Sequence, residues 1–61
     1  MEIKSIQIDF ASDAYYVQCI TDKEEIEQDS VFSERRQAED RAEWLAKVYA
    51  CPWETNYGDR V

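Results

Sequence analysis

Carboxylates are the side chains in this sequence that are numerous enough to act together. The chain has 61 residues, and 14 Asp and Glu against 7 Lys and Arg give a net charge of -7. Acid–base catalysis needs a cleft that raises one carboxyl pKa, and an exposed run of acids supplies none. The pattern therefore favours a charged surface over a catalytic pair. Five acids are concentrated between residues 22 and 29, with Lys23 as the only cation among them: Asp22, Glu24, Glu25, Glu27 and Asp29.

The lack of histidine, with only two cysteines and one glycine, excludes most other catalytic constellations. There is no conventional triad base, and neither Cys19 nor Cys51 has an activating partner in the sequence. Two thiols cannot complete a four-ligand zinc site within one chain. An EF-hand is excluded because Ile26 stands at a ligand position and Glu27 where the loop glycine belongs. We predict no enzymatic activity, no metal and no cofactor.

Length and composition predict one small folded domain that covers residues 1–61. A chain this short buries only about 60% of its unfolded surface, which leaves no second core. Hydrophobic residues make up 44% of the chain and 13% of it is aromatic, whereas disordered acidic chains are poor in aromatic residues. No apolar run reaches the length of a membrane span, and the N-terminus has no signal-peptide pattern. We expect a cytoplasmic protein without membrane contact, whose thiols stay reduced.

The first half of the chain has the period of two that is typical of strands. Ile6, Ile8 and Phe10 alternate with polar residues, and residues 11–14 predict a four-residue turn into a second strand over residues 15–21. That strand is apolar on both faces, which predicts a central position or a face covered by another chain. We interpret the acidic run as strand extension or loop. Residues 31–32 are expected to form a short third strand.

The second half predicts one amphipathic helix from Glu34 to about Ala50, with Ser33 as its N-cap and Pro52 ending it. Residues 53–61 are expected to be an irregular or partly frayed tail. The predicted fold class is α+β: a small two- or three-stranded antiparallel sheet in ββ(β)α order, with one C-terminal helix packed on one face. The predicted core consists of Ile6, Ile8, Phe10, Val17, Cys19, Phe32, Ala38, Ala42, Leu45 and Tyr49.

This order of hairpin, short strand and helix is similar to that of many short bacterial and phage open reading frames. The resemblance implies architecture, and it favours a phage or mobile-element protein that binds and blocks a host protein. It carries over no functional site, because the residues behind it are core-pattern positions: Tyr16, Val17, Phe32, Ala38, Ala42 and Leu45.

Trp44 is the residue that fits least well on a monomer. On the helical wheel it lies about 120° from the apolar stripe that faces the sheet. One explanation is that Trp53 or Tyr57 folds back from the tail and covers it. The other is an interface, where tryptophan is an enriched anchor, and a homodimer is the simplest interface.

Direct nucleic-acid binding is disfavoured, because phosphates would repel a chain of this charge and its cations form no evident basic patch. An acidic ridge suits the basic groove of a nucleic-acid-handling protein, with fast electrostatic association. We predict a protein-binding module that acts as an inhibitor or regulator of such a protein. The alternative is a structural or homodimeric domain whose acidity serves only solubility. The predicted partner-binding residues are Asp22, Glu24, Glu25, Glu27, Asp29, Glu34 and Trp44.

Overall fold

The alternating N-terminal residues form a β-hairpin, as the sequence predicts. In the computed structural model, which describes residues 2–56, β1 (Ile3–Ala11) pairs antiparallel with β2 (Ala14–Thr21). The connection is a two-residue turn, shorter than the predicted four residues. Its residues, Ser12 and Asp13, have φ angles of 53° and 61°, as a tight hairpin turn that matches strand twist requires.

The third strand is much longer than the sequence indicated. Strand β3 (Ile26–Phe32) begins inside the acidic run and pairs antiparallel with β2. A β-bulge interrupts this pairing, because Val17 lies opposite Ser30 whereas the next residue of β2 lies opposite Gln28. Asp29 is the extra residue. A bulge bends its strand and redirects the side chain of the inserted residue.

Thr21 organises the tight connection between β2 and β3. It is fully buried, and its Oγ1 accepts hydrogen bonds from the backbone N–H groups of Lys23 (3.3 Å) and Glu25 (3.1 Å). The Thr21 backbone adds two further bonds, since its N–H donates to the carbonyl of Glu25 and its carbonyl accepts from Glu24, both at 2.9 Å. Glu24 takes a left-handed φ of 64° to close the turn. The acidic run therefore starts as an ordered turn and continues as a strand.

Helix α1 (Arg35–Tyr49) begins one residue later than predicted. Its N-cap is Glu34 in an extended conformation without a side-chain cap, so the assignment of Ser33 as N-cap was wrong. At the other end Ala50 has a left-handed φ of 54°, and the N–H of Cys51 donates to the carbonyl of Ala46 at 2.9 Å. This arrangement satisfies a carbonyl of the last turn. Within residues 2–56, no helix is long and apolar enough to cross a membrane.

A fourth strand follows the helix and corrects the predicted architecture. Strand β4 (Trp53–Thr55) pairs parallel with β1, so the sheet is mixed and has the order β3-β2-β1-β4. The backbone bonds Ile6 N–H to Pro52 O (3.0 Å) and Asn56 N–H to Ile8 O (2.7 Å) flank this pairing. The α+β class and the central position of β2 are confirmed. The helix is not the last element, and residues 53–55 are not an irregular tail; residues 57–61 lie outside the described part.

The core lies between α1 and one face of the sheet. Seven of the ten predicted core residues are buried there, and Phe32 packs against them partly buried. Two predictions were wrong: Phe10 is 47% exposed and Tyr49 is 46% exposed. Phe10 lies near the end of β1, where its ring contacts that of Tyr15 in a tilted arrangement with the centroids 4.7 Å apart, and Tyr49 is the last residue of the helix. The buried set is Ile6, Ile8, Val17, Cys19, Ala38, Ala42, Leu45 and Ala46.

Candidate protein-binding surfaces

The fold separates the charges of the chain into two groups. Helix α1 carries four cations and three acids, whereas the other described residues, 2–34 and 50–56, carry ten acids and two cations. Those two cations are Lys4 and Lys23. Lys4 Nζ lies 3.5 Å from Glu24 Oε2 in an exposed ion pair. The helix layer is therefore nearly neutral, and almost all of the net negative charge lies on the sheet and its connections.

The acids of the run are exposed, and most of them lie at one end of the sheet. Asp22, Glu24 and Glu25 are in the β2–β3 connection, and Glu27 is the second residue of β3. The backbone N–H of Asp22 donates to the carbonyl of Glu2 at 2.9 Å, which holds the turn against the beginning of β1. Four of the predicted contact residues therefore form a cluster, which we call the turn acids: Asp22, Glu24, Glu25 and Glu27.

Asp29 does not belong with the turn acids, because its carboxylate forms an ion pair with a residue of the helix. The guanidinium of Arg41 donates from Nε to Asp29 Oδ2 at 2.8 Å and from Nη2 to Oδ1 at 3.3 Å. The bulge presents the carboxylate to the helix layer, where only 20% of its side chain is exposed. The Arg41 hydrogen bonds lower the pKa of Asp29, although partial burial opposes them. Asp29 is thus a neutralised link between β3 and α1.

Trp44 joins the same link from the helix side. It is 53% exposed, and the guanidinium carbon of Arg41 lies 4.7 Å from its ring centroid. A cation over an indole face at this distance is attractive. Trp53 does not cover Trp44, since it packs against the core from β4, at the opposite edge of the sheet from β3. The suggestion that Tyr57 covers it falls outside the described residues.

Glu34 lies apart from the turn acids. It caps the N-terminus of α1 beyond the far end of β3, and a seven-residue strand spans about 20 Å. The predicted binding set therefore divides into three places: the turn acids, the Asp29–Arg41–Trp44 link, and the helix N-terminus at Glu34.

A second surface, which the sequence analysis did not identify as a site, is the sheet face opposite the helix. Within residues 2–56 no element covers this open face, and cross-strand pairing arranges its side chains in three rows. One row pairs Tyr16 with Val31, and another pairs Ile20 with Ile26. Between them lies a row of glutamines: Gln7, Gln18 and Gln28. The signal in the sequence was the apolar character of both faces of β2.

The two thiols lack the surroundings that activate cysteine. Both are free. Desolvation by burial raises the pKa of the Cys19 thiol, and the carboxylate of Asp29 raises it further. Burial also raises the pKa of the Cys51 thiol. A nucleophilic or metal-binding thiol requires the opposite shift, so both residues serve as apolar packing groups here.

Neither a metal centre nor a known relative guides the functional interpretation. Among residues 2–56 no group of three or more Cys, Asp and Glu side chains is placed to hold a metal ion. No protein-family description, curated protein or solved structure matches this chain. The function is therefore inferred from the chemistry of the surfaces.

Proposed function

We propose that this chain is a small protein-binding module whose acidic sheet layer docks on the basic surface of a nucleic-acid-handling protein that it inhibits or regulates. The observation that carries the proposal is the distribution of charge. The acids outside α1 outnumber the cations there by ten to two, so the negative potential is directional and not uniform. A directional potential orients an approaching basic partner and raises its association rate.

The turn acids supply four of the exposed carboxylates of the proposed contact. They are exposed, they lie on an ordered turn, and Glu24 is the only one of them in an ion pair within 4.0 Å among the described residues. A turn fixed by the buried Thr21 holds these carboxylates in place before binding. Such preorganisation reduces the entropy that association costs.

A capture experiment with two charge-matched variants tests the proposal. In the strand-acid variant Glu24→Gln, Glu25→Gln and Glu27→Gln remove three charges from the sheet layer. In the helix-acid variant Glu39→Gln, Asp40→Asn and Glu43→Gln remove three charges from α1, so both variants have the same net charge. We expect the wild type and the helix-acid variant to capture a basic protein from lysate of the source cell at low salt, and the strand-acid variant to capture much less of it.

Salt provides the second arm of this experiment. Exposed charges are screened over about 8 Å at physiological ionic strength, so capture by the wild type should fall steeply between low and high salt. Equal capture by all three proteins at low salt would mean that the acids of the run are only solvated surface, and the proposal would be wrong.

The second candidate function is that of a structural homodimer, and Trp44 is the observation that favours it. The indole is half-exposed on the helix, close to the exposed Val48, and tryptophan is a frequent interface anchor. In this alternative the acidity serves only solubility. The nearly neutral charge of α1 permits contact between two copies through their helices.

A further inference from the structure

The open sheet face has the composition of a binding surface and not of a solvated one. Ile26 is 61% exposed and Val31 is 45% exposed, and they extend the half-buried pair Tyr16 and Ile20 into two apolar rows. The two rows are four positions apart along β2, a distance of about 13 Å. Contiguous apolar rows framed by polar groups on a small domain are typical of interaction sites.

The glutamine row between the apolar rows contains an unsatisfied acceptor. The Oε1 atom of Gln18 is buried and has no hydrogen-bond partner among the described residues. A buried polar atom without a partner costs free energy. Because that atom is shielded from solvent, a donor on a docked partner would bond instead to the exposed amide of Gln28 in the same row, while the two apolar rows become covered. The face therefore matches a partner that presents an apolar group, a hydrogen-bond donor and a second apolar group in that order.

The charges around this face determine which partner fits. Glu54 and Asp9 lie on it by their strand pairing, and a shallow depression beside Ile20 and Ile26 is bordered by Glu24. Among residues 2–56 the only cation at that depression is Lys4, and Glu24 already pairs with it. A second copy of the chain would bring like charges together. A partner that carries Lys or Arg around its apolar residues would not.

Resting on the proposed function, we infer that the open face is where the partner sits, and that it receives a cationic amphipathic α-helix. The helix α1 already packs on the opposite face, so such a helix would complete a three-layer arrangement around one sheet. Because a helix rises 1.5 Å and turns 100° per residue, apolar anchors eight positions apart lie within one apolar stripe, are separated by about 12 Å and match the two rows. A donor side chain midway between the anchors meets the exposed Gln28, and flanking Lys or Arg meet Asp9 and Glu54.

A pair of synthetic peptides tests this inference on the isotope-labelled full chain by NMR titration. The first peptide is a helix with apolar anchors eight positions apart, a glutamine midway between them on the same face and lysines at the flanks. The second has the same composition, with its apolar residues distributed around the helix. We expect the first to bind about tenfold more tightly, a difference of about 1.4 kcal/mol. The largest shifts should occur at Tyr16, Gln18, Ile20, Ile26 and Val31.

Two variants locate the binding. Ile26→Thr combined with Val31→Thr keeps β-branched residues on an exposed edge strand, so the fold should persist, and we expect the tenfold preference to disappear. Val48→Thr removes a comparably exposed apolar group, 55% exposed, from the helix and should leave the preference intact.

The remaining outcomes of the titration would each contradict a different part of the proposal. Equal, salt-sensitive binding of both peptides would refute the open-face inference and leave the proposed acidic docking intact. No binding of either peptide at low salt would overturn the docking of basic partners itself. Concentration-dependent shifts on the open face without any peptide would show that a second copy occupies it, which also contradicts the inference.

Discussion

The two faces of the sheet use similar apolar side chains under opposite conditions. On the helix side, Ile6, Ile8 and Val17 are fully buried beneath a helix whose small residues, Ala38 and Ala42, allow close approach. On the open side, Ile20 and Ile26 form an equivalent pair with no covering element among residues 2–56. The comparison shows that apolar content alone does not identify a core. The two faces differ because a helix with small, apolar residues packs on only one of them.

The charges follow the same division. Cations are concentrated on the helix, where two of the four pair with acids on α1 or β3: Arg35 with Glu39 and Arg41 with Asp29, both at 2.8 Å. The sheet layer holds most of the unpaired acids. On the helix side the apolar side chains are therefore buried and Asp29 is paired with Arg41. On the open side both the apolar side chains and the acids remain accessible to a partner.

The largest expected effect belongs to the covered face. Leu45 is 3% exposed in the core, and Leu45→Ala should lower the free energy of unfolding by about 2–5 kcal/mol, because it removes buried methyl groups and leaves a cavity. Chemical denaturation measures this. The matched control is Val48→Ala on the exposed side of the same helix, which should change stability by less than about 0.5 kcal/mol. Equal losses in both variants would contradict the assignment of the two helix faces.

The next effect concerns the turn that holds the turn acids. Thr21→Val keeps the shape of the side chain but removes the acceptor for the N–H groups of Lys23 and Glu25, which should cost about 1–2 kcal/mol. Amide hydrogen exchange at these two residues should accelerate, while Thr21→Ser, which retains the hydroxyl, should preserve their protection. Unchanged exchange in the valine variant would mean that the hydroxyl does not order the turn.

A smaller effect is expected from the link between β3 and α1. Because Arg41 lowers the pKa of Asp29 below its ordinary value of 3.8, the ionised carboxylate contributes stability above that value, and the contribution is lost as the pH falls through the folded-state pKa. Asp29→Asn should therefore lower the melting temperature by a few degrees at neutral pH. The gap to the wild type should narrow as the pH falls below 3.8 and through the lowered folded-state pKa of Asp29. A gap that is constant with pH would indicate that the charge of Asp29 is irrelevant.

The smallest effect on stability is expected for Trp44, where the informative quantity is association. Its ring contacts Arg41 but is half-exposed, so Trp44→Ala should unfold only slightly more easily. Sedimentation equilibrium at micromolar concentration separates the two candidate functions. Loss of a dimer in this variant would support the homodimer. A monomer in both the wild type and the variant would rule the homodimer out.

The sequence predicted the elements whose periodicity extends over several residues. The hairpin, the helix and seven core residues follow from periods of two and 3.6. Strand β4 has three residues, too few for any period, and its pairing with β1 depends on where α1 delivers the chain. Phe10 was misassigned because the alternation in β1 continues past the point where the helix covers the sheet.

The candidate site was predictable in composition but not in geometry. The exposed turn acids follow from the charge run itself. The pairing of Asp29 with Arg41 does not, because it requires a one-residue bulge in β3, opposite Val17 and Gln18 of β2. No local sequence pattern predicts this bulge. The bulge also sets the register in which Ile26 and Val31 reach the open face.

The central claim, that the position of the acids and not their number directs a basic partner to the sheet layer, is tested most directly by association kinetics. The association rate constant of the cationic amphipathic peptide is measured at low and high salt for the wild type, the strand-acid variant and the helix-acid variant. At low salt we expect the strand-acid changes to slow association about tenfold and the helix-acid changes to slow it less than twofold, with the three rates converging at high salt. Equal slowing in the two charge-matched variants would show that only net charge matters and would contradict this account.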